Sequence, residues 1–146
     1  SRGGILIKCY DHDTDGPGQW RNGMIRYGKN DGRAIDLKIE GVPFVTADLN
    51  RLEPTVHAGE TGQALWRTFE QGNIRVRMVE YLPGYKADHW CARGHVLLVL
   101  EGKLMTELKD GRIFELLPGM SYQAEDDAGN PHRSWTIEGA KLFIVD

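Results

Sequence analysis

Four side chains in this chain carry donor atoms of the kind that bind first-row transition metals: His89, Cys91, His95 and His132. Residues two apart on a β-strand share a face, so in Asp88-His89-Trp90-Cys91 the imidazole and the thiol project together. A turn through Ala92-Arg93-Gly94 lets His95 rejoin them, and His132, in Asn130-Pro131-His132, opens a distant strand and supplies the fourth donor. Imidazole nitrogen and thiolate sulfur suit zinc, iron or copper, with nickel and manganese as further candidates. The expectation is one divalent transition metal with positions left open for water or substrate. Cys91 has two other readings, a small hydrophobe packed on a buried strand and a redox-sensitive thiol.

Other residues could assist such a centre. Tyr81 and Tyr122 are candidates to give or take a proton beside the metal, as is Tyr85, although an aromatic in a β-fold is core material by default. Glu101 falls on the parity of His95 and is a candidate to orient a ligand from behind. Arg75 and Arg77 share one strand face, where they either hold a carboxylate substrate inside the fold or face solvent. Trp90 should face away from its neighbours and pack, while His12 and His57 lie in polar surroundings without ligand spacing. Asp11, Asp13, Asp15 and Gly16 match the first half of a calcium loop. The twelfth position is Asn22 rather than a bidentate Glu and no helices flank the segment, which favours an acidic solvated turn.

The elements that must position these groups are strands. Gly and Pro punctuate the chain, and the segments between them are rich in Val, Ile, Leu, Phe, Tyr and Trp, which predicts an all-β fold without a long helix. Residues 73–82 alternate Ile74, Val76 and Met78 against Arg75 and Arg77, the period of a half-buried strand. Residues 95–101 are apolar on both parities, so this strand is expected to be covered on both faces. Strands at 103–108 and 112–117 flank Lys109-Asp110-Gly111, a hairpin signal, and three more follow at 120–124, 133–137 and 141–145. Ala47 to Arg51 reads as a short helical turn. Ahead of these, Ile5–Tyr10 reads as a strand and Met24–Ile39 as a hairpin around Asn30-Asp31-Gly32, a β-rich extension over 1–41 that either extends a sheet or pairs with a second subunit.

The chain has 146 residues, with 27% charged, 40% apolar and a formal net charge of -3, a balance that fits one ordinary domain and offers no basic groove for nucleic acid. The longest apolar run, Val96 to Leu100, is far below the roughly 20 residues of a membrane helix. No signal-peptide pattern opens the sequence, which makes the cytoplasm the default location. The two cysteines, Cys9 and Cys91, are read as thiols.

Gly84, His89-x-Cys91, His95 and Gly102, followed by Gly111, Pro118-Gly119 and His132, resemble the two motifs of the cupin superfamily. Cys91 stands where the second His is usual and His95 where a Glu is usual. The wording Ala87-Asp88-His89-Trp90-Cys91, Gly94-His95, Gly119-Met120-Ser121-Tyr122 and His132-Arg133-Ser134 is similar to the small bacterial DHCW motif cupins. The resemblance covers residues 42–146 and implies a double-stranded β-helix, or jelly-roll barrel, with the metal between its two sheets. It names no reaction. The function expected from all this is a metal-dependent enzyme acting on a small molecule, a dioxygenase before a lyase or isomerase, working as a homodimer; the alternative is a non-catalytic binding or redox-sensing module.

Overall fold

The structure, a computed structural model, describes residues 38–146. The expected strand at 5–10, the Asn30-Asp31-Gly32 hairpin, the acidic loop of Asp11, Asp13 and Asp15, Cys9 and His12 lie outside the described residues.

Among the described residues, nine strands follow a single 3-10 turn at Leu49–Arg51, which Asp48 caps by accepting from the Asn50 amide. They are β1 Thr55–Ala58, β2 Gln63–Gln71, β3 Ile74–Tyr81, β4 His95–Gly102, β5 Leu104–Leu108, β6 Ile113–Leu116, β7 Ser121–Ala124, β8 His132–Trp135 and β9 Ala140–Val145. All pairings are antiparallel, in a six-stranded sheet of order β1-β2-β3-β9-β4-β7 and a three-stranded sheet of order β6-β5-β8. This is the two-sheet, all-β architecture expected. The seven strands read from residue 73 onward are all present, whereas β1 and β2 were not foreseen. The Gly72-Asn73 turn joins β2 to β3 across the Gln71–Ile74 pair, with Gly72 at φ 56°, a conformation that favours glycine.

Cross-strand register sorts the inner face of the large sheet into rungs. One is apolar, Trp66–Val79–Leu142–Val99, and the last three of these side chains are almost completely buried. The next is Thr68–Arg77–Ile144–Leu97–Tyr122. The last brings Arg75 opposite Asp146, with His95 one residue beyond the Val96–Val145 pair. Leu104 and Leu116 of the small sheet close over the apolar end. The interior therefore has an apolar end and a polar end, and the arginine parity of β3 is the one that faces inward, with Arg77 5% exposed.

Two expectations about β4 are corrected. Its inner residues Leu97 and Val99 are buried, but its outer face is not covered: Val96 is 48% and Leu100 37% exposed. The register shifts between Val99 and Glu101, so that Val99 faces Leu142 while Glu101 faces Lys141. This bulge at Leu100 turns Glu101 out of the His95 parity.

Gly94 sets the start of β4. A Cβ there would lie 2.5 Å from the Ala124 carbonyl oxygen and 2.7 Å from the Asp126 amide nitrogen, both backbone atoms that cannot step aside. The Gly94 amide donates to Asp126 Oδ1 at 2.6 Å. Gly94→Ala is expected to force β4 from β7 and cost about 1–3 kcal/mol of stability, as overpacking does, measured by urea denaturation.

Candidate metal centre

The segment before β4 crosses from one sheet to the other. It leaves the Pro83-Gly84 turn, pairs Lys86 with Trp135, and reaches Cys91, which forms an isolated bridge with His132. The Cys91 amide donates to the His132 carbonyl at 2.8 Å and the His132 amide to the Cys91 carbonyl at 3.0 Å. Directly opposed residues of an antiparallel pair project to the same side, so the thiol and the imidazole are neighbours. His95, at the start of β4, enters from the other sheet.

Ligand atoms of Cys91, His95 and His132 all lie within 4.8 Å of one another. The His95 and His132 rings meet edge to face with centroids 4.8 Å apart. His95 Nε2 is 2.8 Å from the Tyr122 hydroxyl, while His95 Nδ1 and His132 Nε2 are buried without any hydrogen-bond partner. Two unpartnered ring nitrogens facing a thiol are costly in a polypeptide alone and fit a shared ligand between them. When the His95 Nε2–H donates to the Tyr122 oxygen, the free lone pair is on Nδ1. Burial holds both imidazoles in the neutral form that ligation needs: His95 falls to about 4, with neighbouring His132 and Arg77 adding to the effect, and His132 is also lowered.

His89 is not brought to this cluster. The chain bends at Asp88-His89, which breaks the alternation of an extended strand, and His89 is left 70% exposed with Nδ1 2.6 Å from Asp88 Oδ1. Trp90 lies on the outside, beneath Lys109 Nζ at 4.4 Å and the Arg133 guanidinium at 4.7 Å. Of the assisting candidates, only Tyr122 touches a member of the trio. Tyr81 packs against Tyr85, ring centroids 4.3 Å apart with the planes tilted by 50°, and pairs with Ala140 at the apolar end. Burial raises the pKa of all three tyrosines, and keeps them as phenols. Glu101 is exposed at the other end of β4.

Sequence reasoning missed Asp146 and Trp66. Arg75 donates to Asp146 Oδ1 from Nε at 2.9 Å and to Oδ2 from Nη2, and Arg77 Nη2 reaches Oδ2 at 3.1 Å. Burial opposes the Asp146 charge, but the Arg75 hydrogen bond and the two guanidiniums hold its pKa below the usual carboxylate range. Burial lowers Arg77, partly offset by Asp146. The Arg77 guanidinium lies 4.5 Å over the Trp66 ring, whose other neighbour, His57, is stacked at 3.9 Å. Asp146 continues the inner row one residue past the end of β9, and no local motif marks it.

In the metal-free protein, His95 sits below its ordinary 6.5 only in the folded state. Above pH 6.5 it is neutral folded or unfolded; below that the unfolded chain takes up the proton and the native state does not, so stability falls as pH drops from 6.5 towards 4. His95→Gln is expected to flatten this part of a Tm-against-pH profile.

No protein-family model matches the chain, and a search of curated proteins gives no significant match. Solved structures do match. Hydroxypropylphosphonic acid epoxidase from S. wedmorenis superposes with a TM-score of 0.55 at 16% identity, covering 70% of this chain and 59% of that one, and has also been solved with iron(II) and substrate. The Cnp3 cupin domain of Schizosaccharomyces pombe matches at 0.57 and 12% identity over 69% of this chain and 72% of its own. Ectoine synthase from P. lautus matches at 0.57 and 13% identity, over 70% and 76%. At these identities the likeness is one of fold, and the fold of residues 38–146 is the cupin jelly roll.

Proposed function

We propose that this chain is a small metal-dependent cupin enzyme acting on a small molecule, with one divalent transition metal held by Cys91, His95 and His132. The observation that carries this reading is the convergence of three donors within 4.8 Å, two of them buried imidazole nitrogens with no other partner. Such an ion, when bound, would polarise a substrate oxygen or activate dioxygen. The chain's own residues do the rest. Tyr122 fixes the orientation of His95, the Cys91–His132 amide pair fixes the other two donors, and Leu97 and Ile144 on the neighbouring rung keep water from the inner side.

Within this reading we favour iron and dioxygenase chemistry over zinc and lyase or isomerase chemistry. Three protein ligands leave positions open for two reactants, and one similar fold works with iron(II). His89 stands outside the ligand set because its imidazole faces solvent. The wording around Asp88-His89-Trp90-Cys91 places the chain beside the DHCW motif cupins. A reducing, cytoplasmic setting would keep Cys91 a thiol, and the edges at β1, β7 and β6, unpaired among the described residues, offer surfaces for a homodimer.

Elemental analysis of protein purified without added metal tests the centre. Wild type and His89→Ala are expected to carry close to one equivalent, and His95→Ala and His132→Ala almost none; equal metal in all four would overturn the assignment. In the cobalt-substituted protein, a thiolate charge-transfer band is expected, absent from Cys91→Ser.

The reaction class is tested by oxygen uptake of iron-loaded protein with a panel of thiols, catechols and small acids. Uptake that is stoichiometric with product, and lost in His132→Ala, is expected. Full metal occupancy with no uptake across the panel would replace the enzyme by a binding or sensing module.

A further inference from the structure

The segment that brings Cys91 to His132 is longer than the strand it lies against. Lys86 pairs with Trp135 and Cys91 with His132, so five steps along the segment match only three along β8. The two surplus residues form the bend at Asp88-His89, where both side chains face solvent. The Ala87 amide donates to the Ser134 carbonyl, and the next backbone bonds are those of Cys91 with His132; among the described residues, Asp88, His89 and Trp90 make none. Apart from the Cys91–His132 bonds themselves, side chains alone hold the surplus where it is.

Continued without the bend, pairing from Lys86 and Trp135 would bring Asp88 opposite Arg133 and His89 opposite His132. A slide of two residues keeps every side chain on its own face, so His89 would enter the interior on the side that Cys91 now occupies. The hydrogen bonding survives as well. The bonds that flank the Lys86–Trp135 pair, Ala87 amide to Ser134 carbonyl and Thr136 amide to Tyr85 carbonyl, put His89 in the same doubly bonded kind of pair that Cys91 forms with His132.

The outer face suits both registers. In the observed one Trp90 stands across from Arg133, with the Arg133 guanidinium and the Lys109 ammonium against its ring. After the slide Asp88 would stand there, a carboxylate before the same two cations, beside Glu60 and Glu107, which accept from Arg133. Trp90 and Cys91 would take over the bend, ahead of Ala92, whose carbonyl accepts from the Asp127 amide at 2.9 Å.

We propose that residues 88–91 slide by two positions along β8, which exchanges Cys91 for His89 as the third donor beside His95 and His132. The metal–sulfur bond breaks and the thiolate leaves with a proton from solvent; a neutral imidazole nitrogen makes the new bond, so the site loses one negative charge. The exchange gives the centre a reserve ligand for when the Cys91 sulfur is unavailable. As an account of ligands this rests on the metal assignment above; as a slide of the chain it needs no metal.

The test compares wild type, His89→Ala, Cys91→Ala and the double variant, with cobalt(II) as the probe. Wild type and His89→Ala are expected to bind alike, Cys91→Ala to keep close to one equivalent, and the double variant to bind at least about tenfold more weakly than Cys91→Ala, a coupling that two independent side chains would not give. Ring N–H resonances shifted by the ion should come from two histidines in the wild type and from three in Cys91→Ala, whereas a merely structural role for His89 would leave two. Metal-free protein supplies the second arm. By nuclear Overhauser effect the His132 amide proton is expected near that of Cys91 in the wild type, and near that of His89 in Trp90→Ala, where the indole no longer holds the observed register.

A Cys91→Ala protein that loses metal as fully as the double variant, a double variant that binds as well as Cys91→Ala, or a His132 amide that never meets that of His89 would each overturn the proposal. If the wild type takes up no metal, the assignment above fails and the metal-free arm alone decides the slide. If it takes up metal through Cys91 and no slide is seen, the assignment stands without it.

Discussion

The reciprocal amide bonds between Cys91 and His132 make one site out of two remote stretches of chain. Each such bond contributes only about 0.5–1.5 kcal/mol net, whereas fixing each backbone residue costs about 1–2 kcal/mol, so the bonds cannot order the segment from Pro83 to Gly94 unaided. Burial supplies the remainder. Tyr85 is 5% exposed at one end of the segment, and Trp90 is held between Lys109 and Arg133 near the other. The thiol of Cys91 is thereby placed by contacts on both of its flanks, none of which involves a metal.

The polar end of the interior obeys a related constraint. A guanidinium inside a β-sandwich is tolerable only with acceptors and aromatic faces around it. Asp146 and Trp66 provide these, and Arg77 and Asp146 act in opposite senses on the charge of His95. What keeps Arg77 buried also keeps its guanidinium near enough to His95 to favour the neutral imidazole.

Much of this was legible in the sequence, for identifiable reasons. The strands after residue 73 were readable because their turns carry strong signals: Asp110-Gly111 and Pro118-Gly119 place glycine at φ 98° and 87°. β2 escaped because Arg67, Thr68, Glu70 and Gln71 put polar groups on both parities. The donors Cys91, His95 and His132 could be found from residue type and spacing alone. His89 could not be separated from them, since the bend at Asp88-His89 depends on how the segment crosses between sheets. Which parity of β3 faces inward was equally hidden, because the apolar residues Ile74, Val76 and Met78 gave the stronger local argument and tertiary pairing chose Arg77 and Val79 instead.

The bulge at Leu100 has a bearing on how the chain can change over time. Upstream of it β4 faces His95, Leu97 and Val99 inward; downstream it presents Glu101 outward against Lys141. Leu100 is the extra residue between consecutive rungs: Val99 and Glu101 already face Leu142 and Lys141, so losing residue 100 would restore strict alternation and leave Glu101 outward. Lineages of this fold should therefore tolerate a gap at this one position, whereas a gap among the β4 residues before it would turn inner side chains outward.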